Sequence, residues 1–385
     1  MLEKIIVENF KSFKNKTEIS FAKTNYTTLP DNVADNGILK GCIFVGPNAS
    51  GKSNVIASIK YLLDALFTNQ NFNSRMYKCL FSSKNSFSLD YYFLIDSSHI
   101  RYFIEVDLSK FNITEKLFLD DQIKMERMGT TAKSYIVDAE GIMYDETDVD
   151  KETLFVRTLY FNTKFTSNEV LKHWMEFMMK SVYINAYDRQ IVSYGKSNYG
   201  LMEYLNSNGT KQINEFFDKY NFEQNIEYAH ASQGEFASVK IDGDENQKYI
   251  FYKRKGINEP IPFVEESLGN QNLLRMLPAF LDIVKNDGIL LIDEFSSGFH
   301  NDLERMLIKH FHVESRHSQM IVVSHSTNLL SNSLLRPDQE YAVEFANEEG
   351  STVKRFSTEQ PRSAQNVEKM YVSGIFGGLP HFHEV

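Results

Sequence analysis

The eight residues from Gly46 to Ser53 constrain the fold of this chain more than any other stretch. They read Gly-Pro-Asn-Ala-Ser-Gly-Lys-Ser, which is the spacing of a phosphate-binding loop. The apolar run Ile43 to Val45 predicts a buried strand before the loop, and apolar residues at helical spacing from Asn54 to Leu66 predict a helix after it. A strand, a glycine-rich loop and a helix N-terminus direct backbone N–H groups toward phosphates. The stretch therefore predicts a nucleotide-binding α/β fold.

Each part of the loop has a predicted role. The two glycines permit backbone conformations that aim N–H groups inward. The lysine can reach the β and γ oxygens, and the last serine offers a hydroxyl to Mg²⁺. We expect the nucleotide to be contacted by Gly46, Pro47, Asn48, Ala49, Ser50, Gly51, Lys52, Ser53 and Asn54.

A second informative stretch, Ile289 to Glu294, is an apolar strand that ends in two carboxylates. Continuous apolar strands are typical of the centre of a parallel sheet, and ligands collect at the carboxyl ends of such strands. We therefore expect Asp293 to lie near the Mg²⁺ held by Ser53, and Glu294 to orient and deprotonate an attacking water. Another apolar strand ends at His325, for which a γ-phosphate contact is predicted.

The composition limits the class of protein. The 385 residues are 42% hydrophobic and 24% charged, which is typical of a globular chain with one large domain or two ordinary ones. The net charge of −10 means that any nucleic-acid contact must be local or supplied by a partner. Two cysteines cannot form a disulfide framework or a four-ligand zinc site. With neither a signal peptide nor an apolar run of membrane-spanning length, a cytoplasmic location and no membrane contact are expected.

The patterning predicts three segments. Residues 1–160 form an N-terminal lobe with the phosphate-binding loop and an antiparallel β subdomain, which is indicated by alternating strands between Ser86 and Leu119. Residues 161–230 carry apolar residues at helical spacing and predict a compact helical insertion. Residues 231–385 form a C-terminal lobe that contains the carboxylate strand.

Several weaker patterns leave alternatives open. Asp242 and Asp244 could hold a metal, but a hairpin turn between Ala237–Ile241 and Tyr249–Lys253 favours the same residues. The basic residues Lys253 to Lys255 predict a solvated strand end rather than a phosphate contact. Two His-x-His pairs could bind a metal only with a third ligand; they are His310 with His312 and His381 with His383.

Taken in order, these motifs resemble those of the ABC-type ATPase heads of the SMC/RecF branch. They are more closely similar to the overcoming-lysogenization-defect-like and abortive-infection ATPases of bacteria. The start, Ile6 to Phe13, is similar to the I-x-N-F-K-S-F opening of that branch with one extra residue. The loop corresponds to Walker A and the carboxylate strand to Walker B. Glu266 to Asn270 resembles the signature motif, Phe295 to His300 the D-loop, and His325 the switch histidine.

The C-terminal stretch extends this resemblance. Arg362 and Tyr371 to Pro380 are similar to the tail of abortive-infection ATPases that act with a separate effector. One departure lies in the signature motif, which reads Ser-Leu-Gly-Asn-Gln where the branch has Leu-Ser-Gly-Gly-Gln. The resemblance does not place the glutamine of the Q-loop.

The resemblance implies an α/β fold of the ABC-ATPase head type, with a mixed or parallel sheet core, an antiparallel β subdomain and the helical insertion. It implies ATP and Mg²⁺ as ligands, with Lys52, Glu294 and His325 in hydrolysis. It further implies a homodimer or higher homo-oligomer in which ATP lies between two copies. Ser267, Gly269 and Asn270 of one copy would then face the γ-phosphate bound by the other. In an antiphage-defence setting the head would control a separate effector protein, a nuclease or similar.

Three other functions remain as alternatives. A DNA-repair clamp of the RecF kind would bind duplex DNA in a salt-sensitive way, which the net charge disfavours. A nucleotide-dependent scaffold would bind ATP with little turnover. A self-contained nuclease is disfavoured, because the 60 residues that follow His325 are few for a nuclease domain and lack a clear acidic constellation.

Overall fold

The computed structural model describes residues 1–68, 74–110, 112–137, 141, 143–195, 199–230, 247–297 and 299–379. The chain divides into two compact units. The larger comprises Met1–Gly195, Ile283–Ser297 and Asn301–Val385, and the smaller comprises Lys196–Asp282 and Gly298–His300. These boundaries differ from those expected at residues 160 and 230.

Two sheets form the framework of the larger unit. Within the described residues, the first sheet has eight antiparallel strands in the order β2-β1-β4-β5-β6-β7-β8-β9. Their bounds are β1 Leu2–Glu8, β2 Thr17–Ser20, β4 Ser86–Ile95, β5 Ser98–Asp107, β6 Asn112–Leu119, β7 Gln122–Met128, β8 Thr131–Ser134 and β9 Asp145–Glu146. Along β4 and β5, buried side chains alternate with less buried ones, as expected of a sheet with one face on the core. This sheet is the antiparallel β subdomain that the sequence predicts.

The second sheet contains the strands that end at the predicted site. Its order is β11-β10-β15-β16-β3-β17-β18, with parallel pairing from β10 through β17 and antiparallel strands at both edges. The bounds are β3 Gly41–Val45, β10 Val182–Asn185, β11 Gln190–Ser193, β15 Gly288–Asp293, β16 Ser318–Val323, β17 Glu340–Phe345 and β18 Ser351–Arg355. Every residue of β3, β15 and β16 is buried, as is typical of central parallel strands.

Helices of the larger unit follow or flank these strands. They are α1 Lys52–Phe67, α2 Phe155–Thr163, α3 Glu169–Met179, α7 Asn301–Glu314 and α8 Val367–Val372. Helix α1 begins directly after the phosphate-binding loop, and its buried face contains the apolar residues Val55, Ile56, Ile59, Leu62, Leu63 and Leu66. The predicted order of strand, loop and helix is therefore present.

The smaller unit combines helices with a short sheet. Its helices are α4 Leu201–Asn208, α5 Lys211–Lys219 and most of α6 Leu268–Asn286, and its strands are β12 Gln224–His230, β13 Lys248–Arg254 and β14 Ile261–Pro262. Strand β13 pairs antiparallel with β12. The predicted strand Ala237–Ile241 and its turn with Asp242 and Asp244 lie outside the described residues.

Residues 161–230, for which a compact helical insertion is predicted, contain strands as well as helices. Strands β10 and β11 interrupt this segment, and β10 joins the second sheet beside β15. With four residues each, these strands are too short to produce a recognisable alternating pattern. Helix α3 shows the predicted stripe, with Leu171, Trp174, Met175 and Met178 buried.

Glu340 is a buried carboxyl that makes the stability of the larger unit depend on pH. It lies on β17, it is 0% exposed, and neither of its side-chain oxygens has a hydrogen-bond partner among the described residues. Burial, with a smaller effect of the Asp338 charge, raises the pKa of Glu340 well above its usual value. The folded protein therefore retains a proton that the unfolded chain releases near pH 4.

We expect Glu340→Gln to remove this pH dependence. The stability linked to Glu340 is complete below its unfolded pKa and falls as pH rises toward its folded pKa. At pH 8 the melting temperature of Glu340→Gln should exceed that of the wild type by at least about 2 °C, and the difference should vanish near pH 4. Thermal denaturation at several pH values measures this, with the exposed Glu203→Gln as control. A difference in melting temperature between Glu340→Gln and the wild type that did not change with pH would contradict the raised pKa of Glu340.

Candidate nucleotide-binding site

The phosphate-binding loop leaves β3 and is shaped by close packing. A Cβ atom on Gly46 would lie 2.2 Å from the Val343 carbonyl oxygen. Gly51 has φ +102°, and a Cβ there would lie 2.3 Å from Ser351 Oγ and 2.5 Å from Ser12 Oγ. Both positions therefore require glycine. Strands β17 and β18 and the segment after β1 thus hold the loop in place.

Lys52 is the first residue of α1 and is 4% exposed. Its ammonium donates to the carbonyl oxygens of Gly46 at 3.0 Å and Pro47 at 2.8 Å, so it lies across the concave side of the loop. Burial lowers the pKa of Lys52, and the nearby charges of Glu294 and Asp293 oppose this effect. An anion bound in the loop would stabilise the charged form further.

The structure brings Ser53 and Asp293 together from positions 240 residues apart. Ser53 Oγ donates to Asp293 Oδ1 at 2.9 Å, and the Glu294 N–H donates to the same oxygen at 3.2 Å. Asp293 is 8% exposed, and burial is the main cause that raises its pKa. Oxygen atoms from a hydroxyl and a buried carboxylate suit Mg²⁺, and such a cation would offset the cost of burying the charge.

Glu294 lies at the open end of β15 with φ +55°, and its side chain is 32% exposed. Its Oε1 lies 3.6 Å from His325 Nε2. The Phe295 N–H donates to the carbonyl of Val323 on β16, which fixes the two strand ends side by side. The His325 N–H in turn donates to Ser296 Oγ at 3.2 Å. The carboxylate and imidazole therefore face a common space.

This space is a cleft of about 920 Å³. Its lining residues come from the loop, from α1 and from the ends of β10, β15 and β16; they are Asn48, Ala49, Gly51, Lys52, Ser53, Asn54, Asn185, Tyr187, Asp188, Asp293, Glu294, Ser297 and His325. The remaining loop residues for which a nucleotide contact is predicted, Gly46, Pro47 and Ser50, line a second cleft of about 690 Å³. Hard oxygen donors, a lysine and a helix N-terminus in one cleft fit a magnesium–nucleotide.

Asn185, Tyr187 and Asp188 were not predicted from the sequence. Asn185 is the last residue of β10 and the register partner of Asp293 on β15, and Tyr187 and Asp188 follow that strand. Asn185 Nδ2 donates to Asp188 Oδ2 at 3.0 Å, and the Asp188 N–H donates back to Asn185 Oδ1 at 2.9 Å. Tyr187 between them is 73% exposed. The connection between β10 and β11 therefore forms one wall of the cleft.

The C-terminal tail borders the second cleft. Tyr371, Val372 and Leu379 line it together with Phe345. The tail is held by Tyr371, whose hydroxyl donates to the Gly378 carbonyl at 2.6 Å, and by the Phe376 ring, whose centroid lies 3.9 Å from that of Phe356. The tail thus lies against the phosphate-binding loop.

The signature segment belongs to the smaller unit. Ser267 precedes α6, and its Oγ accepts the Asn270 N–H at 3.3 Å, which is the contact of an N-cap residue. Glu266 Oε1 accepts the Ser267 N–H at 2.7 Å, while its Oε2 pairs with Arg254 at 2.5 Å. Ser267 and Leu268 are exposed, and Gly269 is half-buried. The segment is therefore a fixed helix start whose first residues remain accessible.

Of the weaker metal-binding patterns, only the pair His310 and His312 lies within the described residues. Within the described ranges, no group of three or more His, Cys, Asp or Glu side chains could hold a metal ion. His312 is buried, which lowers its pKa to about 3, and it contacts Gln339. His381 and His383 lie outside the described residues. None of the helices in the described part of the chain has the length and hydrophobicity of a membrane span.

Solved structures share this fold. An SMC head domain with an extended coiled coil, derived from Pyrococcus furiosus and bound to the C-terminal domain of ScpA, matches with a TM-score of 0.53 at 13% identity. The match covers 94% of this chain and 97% of that one. An SMC head bound to the C-winged helix domain of ScpA matches with a TM-score of 0.50 at 13% identity, over 91% and 97% of the two chains. The predicted α/β head fold is therefore confirmed.

Sequence comparison identifies the family. No curated protein matches the chain. Residues 43–331, about three quarters of the sequence, match the family described as "AAA domain, putative AbiEii toxin, Type IV TA system". The matched range includes the loop, the carboxylate strand and His325, so it contains the site described above. This chain thus belongs to that family of AAA-type ATPase domains and has the fold of an SMC head.

Proposed function

We propose that this chain binds ATP with Mg²⁺ and hydrolyses it in a site completed by a second copy of the chain. The observation that carries the proposal is the convergence of Lys52, Ser53, Asp293, Glu294 and His325 on one cleft. In phosphoryl transfer, catalysis consists mainly of positioning and charge stabilisation, and these residue types supply both. The family assignment supports nucleotide hydrolysis independently.

Each residue of the site has a distinct role in ATP binding or hydrolysis. Backbone N–H groups of the loop and the Lys52 ammonium bind the β- and γ-phosphates. Ser53 and Asp293 hold Mg²⁺, which neutralises charge on the phosphate oxygens when it is bound. Glu294 is the carboxylate that accepts a proton from the attacking water, because it is more exposed than Asp293 and reaches the cleft. His325 stabilises charge near the γ-phosphate and lies close enough to orient Glu294.

A second copy would supply the signature segment. Ser267 and Leu268 are exposed at the start of α6, and the Arg254–Glu266 pair fixes the backbone just before them. A helix N-terminus presented in this way can donate N–H groups to an anion. In a head-to-tail dimer, Ser267, Gly269 and Asn270 of one copy would meet the γ-phosphate bound by the other. The interface would be isologous, and ATP would stabilise the dimer.

Mixing Ser267→Arg with Lys52→Ala tests the composite site. Each variant alone lacks part of every site and should hydrolyse no ATP. In a mixed dimer, the intact loop of the Ser267→Arg chain faces the intact signature segment of the Lys52→Ala chain, so one of the two sites is complete. At equal concentrations half of the dimers are mixed, and we expect about a quarter of the wild-type rate of phosphate release per chain, if subunits exchange freely. The control mixture is Lys52→Ala with Glu294→Gln, which leaves neither site complete and should stay inactive. A mixture of Ser267→Arg and Lys52→Ala that stayed inactive would contradict a shared site.

We further propose that the ATP-bound dimer controls a separate effector in bacterial antiphage defence. The family description, which names a toxin of a Type IV TA system, supports this setting. The SMC heads described above bind ScpA domains, which offers a precedent for partner binding by this fold. In this chain the tail borders the phosphate-binding loop through Tyr371, Val372 and Leu379, so nucleotide binding could be transmitted to it.

The effector can be sought with the Glu294→Gln chain as bait. A partner that responds to nucleotide state should be retained from native cells in ATP and released in ADP. Lys52→Ala bait provides the control, because it should not reach the ATP-bound state. Retention that was equal for both baits and both nucleotides would argue against nucleotide control of a partner.

A further inference from the structure

A buried carboxyl in the larger unit is unused by the mechanism above. Glu304 lies in the first turn of α7 and is 0% exposed. An acidic residue near a helix N-terminus is favoured by the helix dipole, but the exposed Asp302 already supplies that charge. The dipole therefore does not explain why a second carboxyl is buried there. Burying such a group is costly unless it is hydrogen-bonded.

The carboxyl of Glu304 faces the hydroxyl of Ser326. The Ser326 hydroxyl and both carboxyl oxygens of Glu304 are buried, and none of these three atoms has a well-formed hydrogen bond among the described residues. Ser326 directly follows His325 and precedes the single helical turn Thr327–Leu329, which packs against α7. Burial raises the pKa of Glu304 to about 7, so a large fraction of molecules carries the proton at neutral pH. In either protonation state the two groups can share one hydrogen bond.

The same segment is attached to α7 on its exposed side. Arg305 Nη1 donates to the Asn328 carbonyl at 2.9 Å, and its Nη2 donates to Ser333 Oγ at 3.3 Å. Thr327 Oγ1 donates to Glu368 of α8 at 3.0 Å. Arg305 and Glu368 thus anchor the segment after β16 by hydrogen bonds, and Glu304 lies against it at Ser326, the residue next to His325.

We propose that Glu304 is a positioning residue, which holds Ser326 so that the adjacent His325 faces Glu294 across the nucleotide cleft. This inference rests on the proposed hydrolysis mechanism. The imidazole lies 3.6 Å from the Glu294 carboxylate, and its backbone N–H is held by Ser296. Loss of the buried anchor frees the segment on one side of the histidine. A shift of about 1 Å in a catalytic group can lower the rate by about 10²-fold.

Substitutions of Glu304 and of its neighbour Leu307 distinguish a positioning role of Glu304 from a role in packing alone. Glutamine has nearly the same shape as glutamic acid, and its amide can both donate to and accept from the Ser326 hydroxyl. Alanine removes the contact. Leu307→Ala serves as the packing control, because Leu307 is also fully buried on α7 and its truncation destabilises the fold by leaving a cavity.

We expect Glu304→Ala to lower kcat for ATP hydrolysis about tenfold, with KM for ATP and the binding of a fluorescent ATP analogue changed less than twofold. Glu304→Gln should keep kcat within about twofold of wild type. Leu307→Ala should lower the melting temperature but leave kcat within about twofold. The proposal is wrong if Glu304→Ala retains full kcat, if glutamine fails to rescue it, or if Leu307→Ala loses as much.

Hydrogen exchange gives a second readout that does not need turnover. Amides of residues 324–330 should exchange about tenfold faster in Glu304→Ala than in the wild type, and at the wild-type rate in Glu304→Gln and Leu307→Ala. If the wild-type chain hydrolyses no ATP, or if Glu294→Gln leaves turnover unchanged, the proposed function fails and this measurement still decides the role of Glu304. Unchanged exchange in Glu304→Ala overturns the inference alone.

Discussion

Glu294→Gln should bind ATP as tightly as the wild-type chain while turnover falls by roughly 10²- to 10⁴-fold, the usual size of a general-base effect. Glutamine keeps the shape of the side chain and its contact distance to His325, but it cannot accept a proton from water. Binding should survive, because the phosphates are held by the loop and by Lys52. With ATP unhydrolysed, the dimer should persist.

Three measurements define this result. Steady-state phosphate release reports turnover, a fluorescent nucleotide reports affinity, and analytical ultracentrifugation with ATP or ADP reports the dimer. The exposed Glu203→Gln controls for the loss of one negative charge elsewhere. Undiminished turnover would remove Glu294 as the base. Low turnover together with lost ATP binding would instead indicate a damaged cleft.

Lys52→Ala should weaken ATP binding by about 10- to 150-fold and abolish detectable hydrolysis. The ammonium lies in the buried concavity of the loop, 2.8 Å from the Pro47 carbonyl, where a phosphate would be within reach. Hydrogen bonds that involve a charged group contribute about 1.5–3 kcal/mol, and each 1.4 kcal/mol corresponds to a factor of ten in affinity. Removal of the only positive side chain that lines the described cleft also leaves the charge of Asp293 and Glu294 unopposed.

Isothermal titration calorimetry with ATP and Mg²⁺ measures this loss. Lys60→Ala is the matched control: it removes a lysine from the same helix, where Lys60 pairs with Asp64 at 2.6 Å. A partly exposed pair of this kind contributes roughly 0–1 kcal/mol. If the two variants bound ATP equally well, Lys52 would not contact the phosphates.

Much of this fold could be predicted, because its central strands carry a strong signal. β3, β15 and β16 each contain an apolar run of at least three residues, and glycine, two carboxylates or histidine come at or just after the end of the strand. The carboxyl ends of parallel strands meet at one sheet edge, and this rule alone predicts that Ser53 lies near Asp293, as the 2.9 Å contact confirms. The antiparallel strands β4 and β5 were equally readable from their alternation.

The wall formed by Asn185, Tyr187 and Asp188 could not be predicted in this way. β10 has only four residues and follows the strongly amphipathic helix α3. The helical pattern of residues 161–230 therefore obscures this short strand in the sequence. Its position beside β15 is a long-range pairing that no local pattern encodes. The one available signal was Val182 to Ile184, a short apolar run rich in β-branched and aromatic residues.

The roles assigned to individual side chains remain predictions. Proximity explains what Lys52, Asp293, Glu294 and His325 can do, but the contact of Ser267 with a neighbouring copy depends on an assembly. The pairing of Arg254 with Glu266 is one case in which the structure improves on the sequence. The sequence predicts a solvated strand end at Lys253 to Lys255, whereas in the structure Arg254 of this run also stabilises the signature segment.

The position of β3 between β16 and β17 has a consequence for biosynthesis. Gly41 pairs with Met320, and Ile43 pairs with Glu340, so both neighbours of β3 are translated last among the central strands. At ~5–20 residues per second, the ribosome needs roughly 15–55 s to add the intervening stretch. During this delay five apolar residues of β3 await their sheet partners. Nascent chains should accordingly recruit chaperones at this stage, and nucleotide capture should begin only once translation has passed β17.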